Sequence, residues 1–272
     1  MGLSFSSFGA SVIGARTRQE DAFGIFPDVS GWDLFIVSDG MGGHPNGDKA
    51  SKIAVESFPE AFEKARLEEV RSIEAEAKPF DAFRRRLVHA FRGVSEAVLP
   101  SQGGATLSVL LRRLRDDRIV VAWAGDSPIL QLRREDGRPA FHAVHSTEDH
   151  GLGWMLDKMV GEPALSDRHR RNRDEPAVDD WKVPLDGDLF VLCTDGISST
   201  FPTRPMRDRF AAMGKTGQGW ANVSNPSLEL VLGRLSENGI PFEEVPVSLA
   251  NEAVISGSHD NCTAIAVKVR KE

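Results

Sequence analysis

The chain has 272 residues, a net charge of −7 with histidine neutral, 40% hydrophobic residues and 27% charged ones, which suits a protein with a buried core and excludes collagen-like or intrinsically disordered chains. No apolar run approaches the roughly 18 to 20 residues of a membrane span, and the N-terminus lacks the basic start and apolar core of a secretory signal. The acidic balance argues against nucleic acid as a partner, and two cysteines, Cys193 and Cys262, are too few for a disulfide framework or a four-thiolate zinc site; the expectation is a soluble cytoplasmic protein.

In chain order, apolar, β-branched runs predict strands at Ser11 to Ile13 and Leu34 to Val37. Helical spacing follows over Asp48 to Lys64 and Phe80 to Val98. Three further strands are predicted at Leu107 to Leu111, Ile119 to Ala122 and Ile129 to Leu132. Their short connections, Arg115 to Arg118 and Ala124 to Pro128, fit hairpins better than crossover helices. Leu152 to Asp180 reads as a long connection carrying a basic run at Arg168, His169, Arg170, Arg171 and Arg173. That run is either a solvated loop or a local positive patch that steers acidic partners. The remaining predicted elements are strands at Leu189 to Cys193 and Ala264 to Val269, helices at Ser227 to Ser236 and Val247 to Ala253, and loops at Pro202 to Pro226 and Glu237 to Pro246. Grouped strands and helices with hairpin connections point to an α+β layered fold with a mostly antiparallel sheet. No internal repeat is visible.

Chemistry is concentrated in four aspartates at strand ends. Strands close on Asp39-Gly40, Asp126-Ser127 and Asp195-Gly196, and Asp260-Asn261 opens another. A carboxylate at a strand end is held by rigid backbone, and a following glycine leaves a carbonyl approachable, a donor set suited to Mg²⁺ or Mn²⁺. One Asp-Gly alone marks a turn more often than a site; four such carboxylates in this order carry more weight.

The blocks "ARTRQEDAFG", "FIVSDGMGGHPNGDKAS", "GGATLSVLL", "VVAWAGDSPILQLR", "STEDH", "FVLCTDGIS" and "SGSHDNCTAIAVKV" resemble, in order, the metal-dependent serine/threonine protein phosphatases called PPM or type 2C, particularly bacterial members. The resemblance implies two packed antiparallel sheets flanked by helices, an α-β-β-α sandwich, with a metal centre in a cleft at one end. It further implies one catalytic domain over 1–272 with a flap-like loop at about 150–180. The implied activity is hydrolysis of phosphoserine and phosphothreonine by direct attack of a water bridging two Mn²⁺ or Mg²⁺ ions, with a third ion in some members. A catalytically weak, phosphatase-like regulatory module binding a signalling partner is the alternative. Phosphorylated proteins would be the substrates, a serine/threonine kinase the opposing enzyme, and the protein a monomer with no membrane or nucleic-acid partner.

Position by position, Asp39 resembles the carboxylate bridging both metals, with the Gly40 carbonyl as a further ligand, and Asp195 and Asp260 resemble those completing one site. Glu20 and Asp21 correspond to acids that contact or orient metal-bound waters. Asp126 resembles the residue that holds the third ion with Asp195. Arg16 matches the phosphate-clamping arginine, whose planar fork suits phosphate oxygens; Arg18 fits a surface role. His44 lies three residues beyond the position where some members carry a candidate general acid, which here is Met41, so it either protonates the leaving alkoxide or pins the glycine-rich turn. The chain departs from the family pattern at Gln19, usually Asn, at Pro128, usually Arg, and after His150. "MGLSFS" matches a myristoylation pattern, against which Phe5 and Phe8 read as strand or core residues. In an alternating strand Cys193 would share a side with Asp195 and Cys262 with Asp260, leaving either inert packing or oxidation-sensitive thiols beneath the site.

Overall fold

The computed structural model of the protein describes residues 2–42, 46–66, 79–134, 140–152, 155–161, 174–204, 206–208 and 225–272. Two five-stranded antiparallel sheets carry the fold. Numbered in chain order, one sheet runs β12 (Ala177–Lys182), β6 (Ile119–Ala124), β5 (Leu107–Arg113), β3 (Trp32–Asp39), β2 (Asp21–Val29). The other runs β1 (Leu3–Val12), β14 (Cys262–Lys271), β13 (Leu189–Cys193), β7 (Ile129–Arg134), β8 (Phe141–Ser146). Among the described residues two short pairs are added: β4 (Gly104–Ala105) with β11 (Val160–Gly161), and β9 (Gly151–Leu152) with β10 (Met155–Leu156). Among the described residues the α-helices are α1 (Gly47–Lys64), α2 (Pro79–Val98), the single turn α3 (Asp195–Ser198), α4 (Leu228–Glu237) and α5 (Val245–Ile255).

The pleat explains the layering. Successive strand residues point to opposite faces, and in the central strands both faces are apolar. Along β3, Leu34 and Ile36 pack with Phe58 and Phe62 of α1 and with Leu87 and Phe91 of α2. Phe35 and Val37 instead meet Phe190 and Leu192 of β13 and Ile265 and Val267 of β14, between the two sheets. The alternate residues of β13 and β14, such as Val191 and Ala264, face Leu232 of α4 and Leu249 of α5. Helices, sheet, sheet and helices are thus stacked in four layers, as the resemblance implies.

The long apolar runs are the central strands, and their expected positions hold to within a few residues. The first predicted strand is corrected: β1 starts at Leu3 and ends before Ile13, which lies outside it. β2, β8 and β12 are absent from the sequence reading. All three, like β1, are edge strands; edges carry polar residues and, in β2, Gly24 and Pro27, which break the apolar pattern. Phe5 packs partly into the core between the sheets, with the Arg112 guanidinium 3.8 Å above its ring. Phe8 is in the strand yet exposed, edge-on to Phe242 at 5.7 Å.

Candidate active site

One end of the paired sheets gathers the acidic residues. Asp39 closes β3 on the face it shares with Phe35 and Val37, so it opens between the sheets. Asp21 opens β2 and is the direct cross-strand partner of Asp39. Asp195 starts α3 where β13 ends, Asp126 sits in the β6–β7 turn, and Asp260 immediately precedes Asn261 and β14. Two glycines permit this crowding. A Cβ at Gly196 would stand 2.0 Å from the Asn261 carbonyl oxygen and 3.3 Å from the Asp260 Cβ, and one at Gly40 would stand 2.2 Å from the Gly47 carbonyl oxygen and 2.7 Å from that of Glu20. A side chain at either position would push the acids apart.

Hydrogen bonds fix the acids individually. The Asp21 carboxylate accepts from Thr194 Oγ1 at 2.8 Å and also from the Thr263 hydroxyl. The Glu20 N–H donates to Asn261 Oδ1 at 2.8 Å, while Asn261 Nδ2 donates to the carbonyls of Ile13 (2.8 Å) and Arg18 (2.9 Å). Asn261 therefore ties the 13–20 loop, with Arg16 and Glu20, to Asp260. Arg16 donates from Nε to the His259 carbonyl at 3.2 Å and from its terminal nitrogen to Asp260 Oδ2 at 2.5 Å. Gln19 takes a local role: its Oε1 accepts from the Asp21 N–H at 3.0 Å and its Nε2 donates to Ser11 Oγ at 2.7 Å.

The charges are poorly balanced. Burial pushes Asp39 well above the usual carboxylate range, and the charges of Asp21, Asp195 and Asp126 push it further. Asp39 and Asp195 lie close enough to share a hydrogen bond. Burial raises Asp126 to about 8, with Asp195 and Asp149 adding repulsion. Burial also raises Asp21 to about 7 against the pull of its two threonine hydrogen bonds. Asp195 is raised by burial and by Asp260, partly offset by Asp39, Arg16 and the Gly196 N–H. The Arg16 guanidinium loses solvent, which lowers its pKa, but Asp260, Glu20 and Asp195 raise it on balance.

These residues fit divalent cations. Asp195 Oδ1 is buried without a hydrogen-bond partner, an uncompensated acceptor aimed into a cluster of like charges. Among the described residues no three acidic, imidazole or thiol side chains are already drawn into a cage. Carboxylates offered one or two at a time, completed by a carbonyl and waters, suit Mg²⁺.

The expected Arg16, Glu20, Asp21, Asp39, Gly40, Asp126, Asp195 and Asp260 are brought together at this end. His44 and the basic run Arg168 to Arg173 lie outside the described residues. Thr106, Thr194, Thr263 and Asn261 hold the acids but went unread, because hydroxyls and amides have no periodicity; only their places inside the motif blocks marked them. Trp123 and His150 belong with them: the rings stack at 5.6 Å, and His150 Nδ1 accepts from the Gly125 N–H at 3.3 Å, beside Asp126. Burial lowers the pKa of His150 to about 4, so it is neutral and able to accept.

The serine/threonine phosphatase stp of Listeria welshimeri is 28% identical to the chain over 207 residues, covering 71% of this chain and 77% of that one. The fold is that of the serine/threonine phosphatase of S. agalactiae, with a TM-score of 0.66 at 19% identity, spanning 97% of this chain and 99% of the other. It is equally that of the catalytic domain of the serine threonine protein phosphatase PstP, solved with two manganese ions, with a TM-score of 0.62 at 20% identity and coverage of 99% and 100%. A family profile described as protein phosphatase 2C matches residues 8–232, a span holding all the clustered acids except Asp260, and with it the chain belongs to the protein phosphatase 2C family.

Proposed function

We propose that the protein hydrolyses phosphoserine and phosphothreonine in other proteins, using Mn²⁺ or Mg²⁺ held at the acidic cluster. The observation that carries the reading is the crowding of Asp21, Asp39, Asp126, Asp195 and Asp260, with Arg16 on Asp260 as the ion pair within the cluster. Asp39, Asp195 and Asp260, with the Gly40 carbonyl, would hold two ions; Glu20 and Asp21 would orient their waters; Asp126 with Asp195 would take a third. When bound, such ions supply Lewis acidity, lowering the pKa of water and drawing charge from phosphoryl oxygens. The chain's own part is positional. Asp39 and Asp195, whose burial favours their protonated forms, would release protons to solvent when a cation is held there. Arg16 turns its fork from Asp260 toward phosphate, where charge grows as the bond to the leaving oxygen breaks. Asn261 keeps the Arg16 loop in register with Asp260. His44 remains the candidate proton donor to that oxygen or the pin of its turn.

The stretch 1–272 reads as one catalytic domain; of the expected flap at about 150–180, residues from Ala177 on belong instead to β12 of the sheet, and 153–154 and 162–173 lie outside the described residues. Cys193 and Cys262 are both free, which suits a reducing cytoplasm, and there the enzyme would act as a monomer opposing a serine/threonine kinase. Among the described residues no helix is long and apolar enough to cross a membrane.

The test is turnover of a phosphothreonine peptide after chelation. Activity should vanish with the metal and return with Mn²⁺ or Mg²⁺. Full activity of metal-stripped protein would sink the reading.

A further inference from the structure

We infer that Thr106 is a positioning residue that sets the spacing between Asp39 and Asp126 and thereby decides whether the ion assigned to Asp126 and Asp195 binds; this rests on the metal-dependent reading above. Thr106 lies between β4 and β5 and is 2% exposed. Its N–H donates to the Asp39 carbonyl at 2.8 Å, and its Oγ1 accepts from the Asp39 N–H at 2.8 Å. One residue thus holds both backbone polar groups of Asp39. With one Oγ1 lone pair used there, the rest of the hydroxyl faces Ser127 Oγ, 2.8 Å away.

Ser127 is 1% exposed and directly follows Asp126. Its carbonyl accepts from Ser108 Oγ at 2.6 Å, and the Thr106 carbonyl accepts from Ser38 Oγ at 2.5 Å. The turn also packs on Thr106, since a Cβ at Gly125 would stand 2.6 Å from the threonine methyl carbon. A buried hydroxyl chain therefore runs from the backbone of Asp39 to the residue beside Asp126. The two acids repel, so without a strut they would relax apart. A buried, fully paired hydroxyl makes a stiff strut because breaking it strands the Asp39 N–H.

The test separates hydroxyl from shape. Thr106→Val keeps the volume and the methyl contact but removes the hydroxyl; Thr106→Ser keeps the hydroxyl and removes the methyl. Mn²⁺ binding to the full chain is titrated by electron paramagnetic resonance, with phosphopeptide KM at saturating Mn²⁺ and metal-free thermal unfolding alongside. Thr106→Val should bind Mn²⁺ roughly 10- to 100-fold more weakly, the range seen when a residue orienting a ligand is lost, with KM held; Thr106→Ser should stay near wild type. If Thr106→Val does not fold, Ser127→Ala, which cuts the link but spares the Asp39 bond, should lose the weakest Mn²⁺ alone. A wild-type Mn²⁺ titration in Thr106→Val, or in Ser127→Ala where that takes its place, overturns the inference, as does an equal loss in Thr106→Ser. Wild-type protein that binds no Mn²⁺ overturns the metal-dependent reading and this inference with it.

Discussion

The Arg16 guanidinium is engaged with Asp260 at 2.5 Å, although both side chains keep solvent contact. Under the proposed function, Asp260 would hold a metal ion and Arg16 a phosphate oxygen, so both would address the same ion pair from its two ends. Arg16→Ala should cost roughly 10- to 100-fold in kcat/KM, mainly through KM, from the loss of charge-assisted hydrogen bonds, while metal binding persists. Asp39→Asn should nearly abolish turnover and, with it, metal-induced thermal stabilisation, since it removes charge shared by the cluster. Steady-state kinetics and thermal shifts with Mn²⁺ check both; equal loss of metal in the two variants would reverse the roles. The thiols take the packing role. Cys193 and Cys262 sit in the outer core with Ile197 and Leu249. Burial pushes Cys193 far up, and burial pushes Cys262 up to about 11 against a hydrogen bond with Ser258, so little thiolate is present to oxidise.

Strands deliver the acids because each central strand ends where its apolar faces end. β3 buries both faces through Val37 and then presents Asp39; β13 does the same through Cys193 before α3 begins at Asp195. The spacing between these strand ends is kept by the layer between the sheets, where Phe190 is fully buried against Val37 and Ile265. Phe190→Ala should destabilise the fold by about 3 to 5 kcal/mol through the cavity it leaves. Urea denaturation measures this directly, and a loss under 1 kcal/mol, on the order of a surface change, would mean the sheets close over the gap. The edge strands β1, β2, β8 and β12 were the hardest to read because a half-covered strand mixes polar and apolar residues; for β1 and β12 the pairing partner is also remote in sequence. The turn α3 was unreadable too, being four residues long.

For the molecule as a whole, the acidic cluster makes stability depend on pH and metal together. Asp21 and Asp126 rise from 3.8 to about 7 and about 8 on folding. The folded state then keeps protons that the unfolded chain has released. Their contribution is complete below pH 3.8 and is lost as pH climbs through 7 to 8, at up to about 1.4 kcal/mol per pH unit for each group. His150 acts oppositely: its fall from 6.5 to about 4 lends stability above pH 6.5 that is lost as pH falls toward 4. Between pH 6.5 and 8 the carboxyls dominate, so the melting temperature in chelator should fall across that window and saturating Mg²⁺ should flatten the fall. A rise in chelator would contradict the assignment. The strand-end acids, the hairpin-linked central strands and the four main helices were legible before folding because they rest on local pattern: apolar runs, helical spacing and Asp followed by a small residue. The pairing of Asp21 with Asp39, the Arg16–Asp260 ion pair, the Asn261 tether and the Thr106–Ser127 link join residues as much as 248 positions apart. Such contacts exist only once the strands have paired into their sheets, since no local periodicity encodes which strand end lies beside which.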